Sequence, residues 1–178
     1  MYYLGQICGL IGTAITIIQP QFRKKVQILT CTILVNALNA LNFALIGQTG
    51  SSVFLCLVAV LQAMVAIWHD RKQTNVTPGE NILFLLLYVG FGFYGMVTAP
   101  GFAWSLSWQN VLELLPIIGA LMLMLSVFAK TEQKTRLFLL LNGSAWLVYT
   151  AVIGATAFFT ALVAIISAGI ALWKYRKK

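Results

Sequence analysis

Acidic residues are nearly absent: the 178-residue chain holds four Asp and Glu against twelve Lys and Arg, with a single histidine. Paired carboxylates for acid–base chemistry have little to draw on. No nucleophile–base pair, metal cluster or phosphate-cradling loop stands out either, so an enzyme is not expected. The three cysteines, Cys8, Cys31 and Cys56, lack paired metal-ligand spacing and fall inside apolar segments. They read as small buried apolar residues, not as disulfide partners or metal ligands, and no cofactor is expected. Charged residues make up only 9% of the chain and hydrophobic ones 60%, far from the roughly half-apolar, quarter-charged balance of a soluble domain. A nucleic-acid partner needs a basic folded surface, which this composition does not supply.

What the chain has in place of charge is long apolar runs, covering residues 4–22, 26–46, 51–68, 82–98, 111–129, 137–153 and 155–173. Each of the seven is long enough to cross a bilayer. Lipid offers no water to unsatisfied backbone amides, so runs of this length and continuity predict helices, not barrel strands. The first run has no basic stretch ahead of it and exceeds a signal-peptide core, so it is read as structural. Threading the spans alternately puts all twelve basic residues on one side, Arg23, Lys24, Lys25, Arg71, Lys72, Lys130, Lys134 and Arg136 among them. The opposite loops, 48–50, 99–109 and the turn near Gly154, carry none. Basic residues near span ends stay in the cytoplasm, which predicts an amino terminus outside and a carboxyl terminus inside. The net charge of +8 is then a topology signal, with anionic-lipid contacts expected on the cytoplasmic side. The Asn75-Val76-Thr77 sequon falls on that side, where it would not be glycosylated.

Residues 57–72 and 162–177 are near copies, identical at eight of sixteen positions, and share a Trp followed three and four residues later by Arg and Lys. Gly47 near the end of the second run corresponds to Gly154 near the end of the sixth, and Trp68 to Trp173. Spans 1 to 3 therefore repeat as spans 5 to 7. An odd number of crossings reverses direction, so parallel copies need one extra helix at the join. The fourth run, ILFLLLYVGFGFYGMV, is apolar and has no counterpart, as an inversion linker should be. The expected architecture is an all-α integral membrane protein of seven spans in a 3+1+3 arrangement. A first triple-helix bundle covers 1–72; a cytoplasmic hinge, linker helix and outer loop cover 73–109; a second triple-helix bundle covers 110–178.

This arrangement, with Gln19-Pro20-Gln21 closing the first run ahead of Arg23-Lys24-Lys25, resembles the PQ-loop clan, to which the SWEET and SemiSWEET sugar transporters belong. In length and texture the chain is most similar to the YgjV-type small bacterial inner-membrane proteins. The resemblance implies a multi-pass protein of the inner membrane with a pseudo-two-fold axis along the membrane normal. It also implies a central pocket between two triple-helix bundles and facilitated passage of a small neutral solute, a sugar first of all. The second half departs from the pattern: the position equivalent to Pro-Gln reads Ser126-Val127-Phe128, and Pro116 lies too early to match. Symmetrical bending of the two halves is therefore not implied.

An unpartnered polar side chain is costly in lipid, so polar residues within spans mark the candidate site. Asn36, Asn39 and Asn42 recur every three residues along the second span. Asn142, Trp146 and Tyr149 share one face of the sixth, and the repeat sets Trp146 opposite Asn39. Gln62 and Ser167 occupy equivalent points of the third and seventh spans and are expected to approach one another across the pseudo-axis. Uncharged amides both donate and accept hydrogen bonds, and an indole face packs on C–H surfaces, a combination suited to a neutral polyhydroxylated solute. The same residues also suit helix-to-helix bonding, at about 0.6 to 2 kcal/mol per bond. The candidate substrate-binding set is Asn36, Asn39, Gln62, Asn142, Trp146, Tyr149 and Ser167.

Pro20, with Gln21, is either a hinge or a simple stop for the first helix. Glu113, the one acid outside the cytoplasmic loops, either carries a proton in coupled export or points into headgroup water beside Trp108 and Gln109. His69 reads as an interfacial residue, Trp68, Trp104, Trp108, Trp173 and Tyr175 as interface anchors, and Gly5 with Gly9 as a helix-packing pair. The leading expectation is a transporter working by alternating access. The alternatives are a proton-coupled exporter of an amino acid or other small metabolite, and a non-transporting receptor or assembly protein on the same scaffold. The expected partners are a small-molecule solute and the lipid bilayer, with a homo-oligomer left open.

Overall fold

The structure is a computed structural model in which residues 2–45, 51–98, 108–152 and 157–175 are described. They form seven α-helices: α1 (Tyr2–Ile18), α2 (Lys25–Leu45), α3 (Ser51–Lys72), α4 (Pro78–Thr98), α5 (Trp108–Phe128), α6 (Glu132–Val152) and α7 (Ala157–Lys174), with a 3-10 turn over Gln19–Gln21 after α1. The described residues contain no strand. Local chemistry sets several of the boundaries. Pro20 cannot donate to the helix, and α1 ends before it, so the proline stops the helix and does not bend it. At the start of α4, Thr77 Oγ1 accepts from Glu80 N at 3.2 Å while Glu80 Oε2 accepts from Thr77 N at 2.7 Å, a reciprocal capping box with Pro78 in the first turn.

Four helical stretches are long and apolar enough to cross a membrane: Tyr3–Gln21, Lys25–Leu45, Ser51–Arg71 and Pro78–Thr98. In α5 and α7 the described apolar stretches, Leu114–Phe128 and Phe158–Lys174, are shorter. Helix α6 opens on Glu132, Lys134 and Arg136 and carries Asn142 and Ser144 within, which lowers its mean hydropathy. The apolar surface is nonetheless continuous from helix to helix. Leu10, Leu41, Leu61, Leu86, Ile118, Val148 and Ile170, one from each helix in turn, all point outward and are exposed. Apolar surface on that scale belongs in lipid. The protein is a multi-pass helical membrane protein.

Six helices make a closed ring in the order α1, α2, α3, α5, α6, α7 and back to α1, while α4 packs outside against α3 and α5. Each trio is one arc of the ring. The buried core runs along the α3–α5 seam and under α4, through Leu55, Val58, Ala59, Phe84, Tyr88, Leu123 and Val127.

The duplication is written into the bonds that join the arcs. Positions 107 apart correspond in the first two helices of each trio, pairing Gly12 with Gly119, Ile17 with Met124, Phe22 with Ala129 and Asn39 with Trp146; in the third helix Gln62 pairs with Ser167. Gln62 Nε2 donates to the Met124 carbonyl at 3.1 Å, and the Ser167 hydroxyl donates to the Ile17 carbonyl, so equivalent donors meet equivalent acceptors in the opposite half. At the basic end the acceptors Phe22 and Ala129 again correspond, while the donors, Lys25 and Arg136, stand four residues apart in register on the second helix of each trio. Lys25 Nζ donates to the Ala129 carbonyl at 2.6 Å. Arg136 donates through Nε to the Pro20 carbonyl at 3.1 Å and through Nη2 to the Phe22 carbonyl at 2.9 Å. Each cation thereby caps the negative end of the opposite half's first helix. Such reciprocal pairs require both trios to run in the same direction, since an inverted copy would place the two partners at opposite ends of the ring.

Gln62 and Ser167 therefore do not meet one another, contrary to the sequence expectation. Each reaches sideways across a seam to a main-chain carbonyl. The linker after α3 is also held firmly: both ring nitrogens of His69 are engaged, Nδ1 with Thr74 Oγ1 at 2.7 Å and Nε2 with Glu80 at 2.9 Å, which ties α3 to the start of α4.

Candidate functional site

The ring surrounds a partly open cavity of about 110 Å³. Helices α1, α2, α3, α5, α6 and α7 and the 3-10 turn all contribute to its wall, and α4 contributes nothing among the described residues. From α2 come Thr32, Asn36, Asn39 and Phe43, spaced so that one helix face looks inward; from α6 come Asn142, Trp146 and Thr150. Leu55, Cys56, Ala120 and Leu123 supply the apolar side. No Asp, Glu, Lys, Arg or His lines the cavity among the described residues, so nothing there compensates a charged solute.

The polar residues predicted from sequence divide sharply. Asn36 lines the cavity, but its amide is committed to its own helix, donating to the Thr32 carbonyl at 2.8 Å. Asn39 and Asn142 line it and make no hydrogen bond to any described residue; the Asn142 Oδ1 atom is fully buried and unpaired. A buried carbonyl oxygen left without a donor costs about 1–3 kcal/mol, so Asn142 is the strained point of the wall. The Trp146 ring stacks on Phe43 at 6.2 Å, with Tyr149 against its edge at 5.9 Å. Tyr149 thus braces the indole from behind and is not itself part of the wall.

Gln62 and Ser167 stand outside the cavity, which corrects their placement in a substrate site. Gln62 is completely buried, with its carbonyl oxygen taking the Tyr88 hydroxyl at 2.8 Å and its amide spent on Met124. Ser167 is bound by Gln21 Nε2, at 3.3 Å to the hydroxyl and 3.1 Å to the carbonyl. Asn42 is likewise a packing residue, buried with its amide pressed against Gly9 of α1. Pro20 lines the cavity near its basic end, and Gln21 joins α1 to α7. Glu113 lies on α5, but its side chain is outside the described residues, as is Trp104.

The basic end of the cavity is closed by bonds that cross between halves. Besides Lys25 and Arg136, the Tyr175 hydroxyl donates to the Gln21 carbonyl at 3.2 Å, and the Arg136 guanidinium lies 4.5 Å over the Tyr175 ring. Gln133 Nε2 donates to the Tyr175 carbonyl. Tyr175 is therefore part of this closure and not an interface anchor, whereas Trp68 and Trp173 are exposed as anchors should be. Sequence reasoning also missed Phe43 and Thr32, which extend the inward face four residues either side of Asn39 and Asn36 and were open to discovery by that spacing.

No curated protein and no solved structure matches the chain. A family profile described as bacterial inner membrane protein matches residues 3–178, in keeping with the outward apolar surface and the seven helices. The chain, over essentially its whole length, belongs to the Imp-YgjV family of bacterial inner membrane proteins.

Proposed function

We propose that this inner-membrane protein is a transporter that moves a small neutral polyhydroxylated solute, of the sugar and polyol class, by alternating access between its two halves. The observation that carries the reading is the cavity itself. It lies on the seam between two parallel repeats, is walled by both, and presents the unpaired amides of Asn39 and Asn142 beside the Trp146 indole without an ionised group. Asn42, which packs on α1 away from the cavity, also leaves its Oδ1 unpaired, so the reading is supported by the position of Asn39 and Asn142 on the cavity wall and not by the missing bonds alone. The resemblance to SWEET-type carriers supports the same reading, because parallel repeats about an axis along the membrane normal are a transporter architecture.

Solute flux into liposomes holding the purified chain tests it. Uptake of a neutral polyol or sugar above protein-free vesicles is expected. Asn39→Ala and Trp146→Ala should each reduce it about tenfold, the equivalent of one lost hydrogen bond or stacking contact of about 1.4 kcal/mol. Absence of flux across a panel from three-carbon polyols to disaccharides would leave a receptor or assembly protein as the better reading. Flux only under an imposed proton gradient would favour a coupled exporter.

A further inference from the structure

The four acidic residues are Asp70, Glu80, Glu113 and Glu132, so none precedes residue 70 and none follows residue 132. Helices α1, α2 and α7 therefore carry no acid of their own, and the two seams between the trios differ at their cytoplasmic ends. At the end of α3, Asp70 adjoins Arg71 and Lys72, and Glu80 is spent on His69. Glu132 acts on Lys25 and Arg136, the two cations already bonded to carbonyls. In the second repeat the position of His69 is taken by Lys174. Lys174 is exposed, as are Arg23 and Lys24, and none of the three pairs with a carboxylate among the described residues. Tyr175 marks where the cations converge. Arg23 donates to its hydroxyl, and the Arg136 guanidinium and the Lys174 ammonium lie 4.5 and 5.5 Å from the centre of its ring. Desolvation raises the pKa of that hydroxyl, yet the bond from Arg23 and the charges of Lys174, Arg23 and Arg136 outweigh it and hold it below the ordinary tyrosine value. The cytoplasmic end of the α1–α7 seam is thus a rim of uncompensated positive charge.

Apolar surface begins one turn away. Ile170 precedes Lys174 by four residues and lies beneath it on the same face of α7. Ile170 and Trp173 are exposed, and so are Ile17 and Ile18 at the end of α1. Helix α4 packs against α3 and α5 and leaves this seam to the lipid. A cationic rim above an exposed apolar strip fits an amphiphile with an anionic head; a free anion would make no use of the strip. We propose that the cytoplasmic end of the α1–α7 seam binds one anionic phospholipid, its phosphate held between Arg23 of the first half and Lys174 of the second and its chains lying along Ile18, Ile170 and Trp173. Guanidinium and ammonium groups on neighbouring helices at the cytoplasmic face suit a lipid phosphate. Because the two cations belong to different repeats, a shared phosphate ties the halves together at the seam that α4 does not reach. The site is independent of what the cavity carries.

The test is thermal unfolding of the purified full chain in detergent, titrated with phosphatidylglycerol and, in parallel, with phosphatidylcholine. Phosphatidylglycerol is expected to raise the melting temperature saturably; phosphatidylcholine, whose phosphate carries its own cation, is not. Combining Arg23→Gln with Lys174→Gln should raise the half-saturating concentration about thirtyfold, which is about 2 kcal/mol at 1.4 kcal/mol per tenfold. Combining Arg71→Gln with Lys72→Gln, the same loss of charge at the end of α3, should leave it nearly unchanged. An equal response to the two lipids, or an equal loss in both double variants, overturns the site in favour of diffuse surface charge. The same saturable shift with inorganic phosphate or glycerol phosphate overturns the lipid as occupant. On the unaltered chain, a phosphatidylglycerol with a photoreactive group in its acyl chain should label residues 17–18 and 166–173. Labelling concentrated on α3, α4 and α5 overturns the assignment whether or not the variants fold.

Discussion

Replacing Arg136 with methionine should open the basic end of the ring. Arg136 is 3% exposed and no carboxylate pairs with it among the described residues; its partners are the Pro20 and Phe22 carbonyls of the opposite half and the face of Tyr175. Hydrogen bonds to a charged group contribute about 1.5–3 kcal/mol each. Burying the guanidinium away from water opposes them by several kcal/mol. A net closing contribution of at most about 3 kcal/mol follows, which at 1.4 kcal/mol per tenfold is a shift of up to about 150-fold toward the open arrangement. Methionine fills similar space but donates nothing, so folding is disturbed less than by alanine.

Cys56, on the cavity wall, is a built-in reporter. In a Cys8→Ala, Cys31→Ala background, its reaction with a membrane-impermeant maleimide is followed in everted and right-side-out vesicles. The Arg136→Met variant should react at least tenfold faster than its parent, and only when reagent is applied from the cytoplasmic face. An unchanged rate in a protein that still elutes as a folded monodisperse species would refute the closure. Faster reaction from the external face alone would refute the orientation read from the basic residues.

Tyr88→Phe removes the only described donor to Gln62 Oε1, a fully buried acceptor, and should cost about 1–3 kcal/mol, seen as a fall in melting temperature; adding Gln62→Leu should recover part of it. Gly95→Ala should destabilise by about 1–3 kcal/mol, because its Cβ would overlap the Ser51 backbone at the α3–α4 contact, whereas Gly90→Ala, with nothing within 4 Å, should be neutral in the same melting assay. Glu113→Gln tests the coupled alternative: uptake unchanged with and without an imposed pH gradient makes the carboxylate structural, whereas a gradient-dependent flux lost in that variant assigns it a proton.

The duplication, the parallel trios and the two inward stripes were legible because they depend on side-chain identity at fixed spacing: Asn39 and Trp146 occupy equivalent points and both reach the cavity. What stayed hidden depends on the main chain. Gln62 and Ser167 looked like a facing pair because their acceptors, the Met124 and Ile17 carbonyls, leave no mark in a sequence. Arg136 read only as a topology charge for the same reason, its partners being carbonyls at a helix end exposed by Pro20. Tyr175 sits where lipid-facing aromatics usually do, and nothing local distinguishes it from Trp173; its role comes from Gln21, far away in the chain.

The two seams of the ring are alike by descent but not in support. The fourth helix lies across α3 and α5 like a splint, with Gly92 and Gly95 letting it press close to both, while the α1–α7 seam has only its own contacts, among them the 2.6 Å bond between Thr13 and Thr160 hydroxyls. The helix that turns the second repeat to face the same way thereby also gives one seam of the ring an outer support that the other lacks.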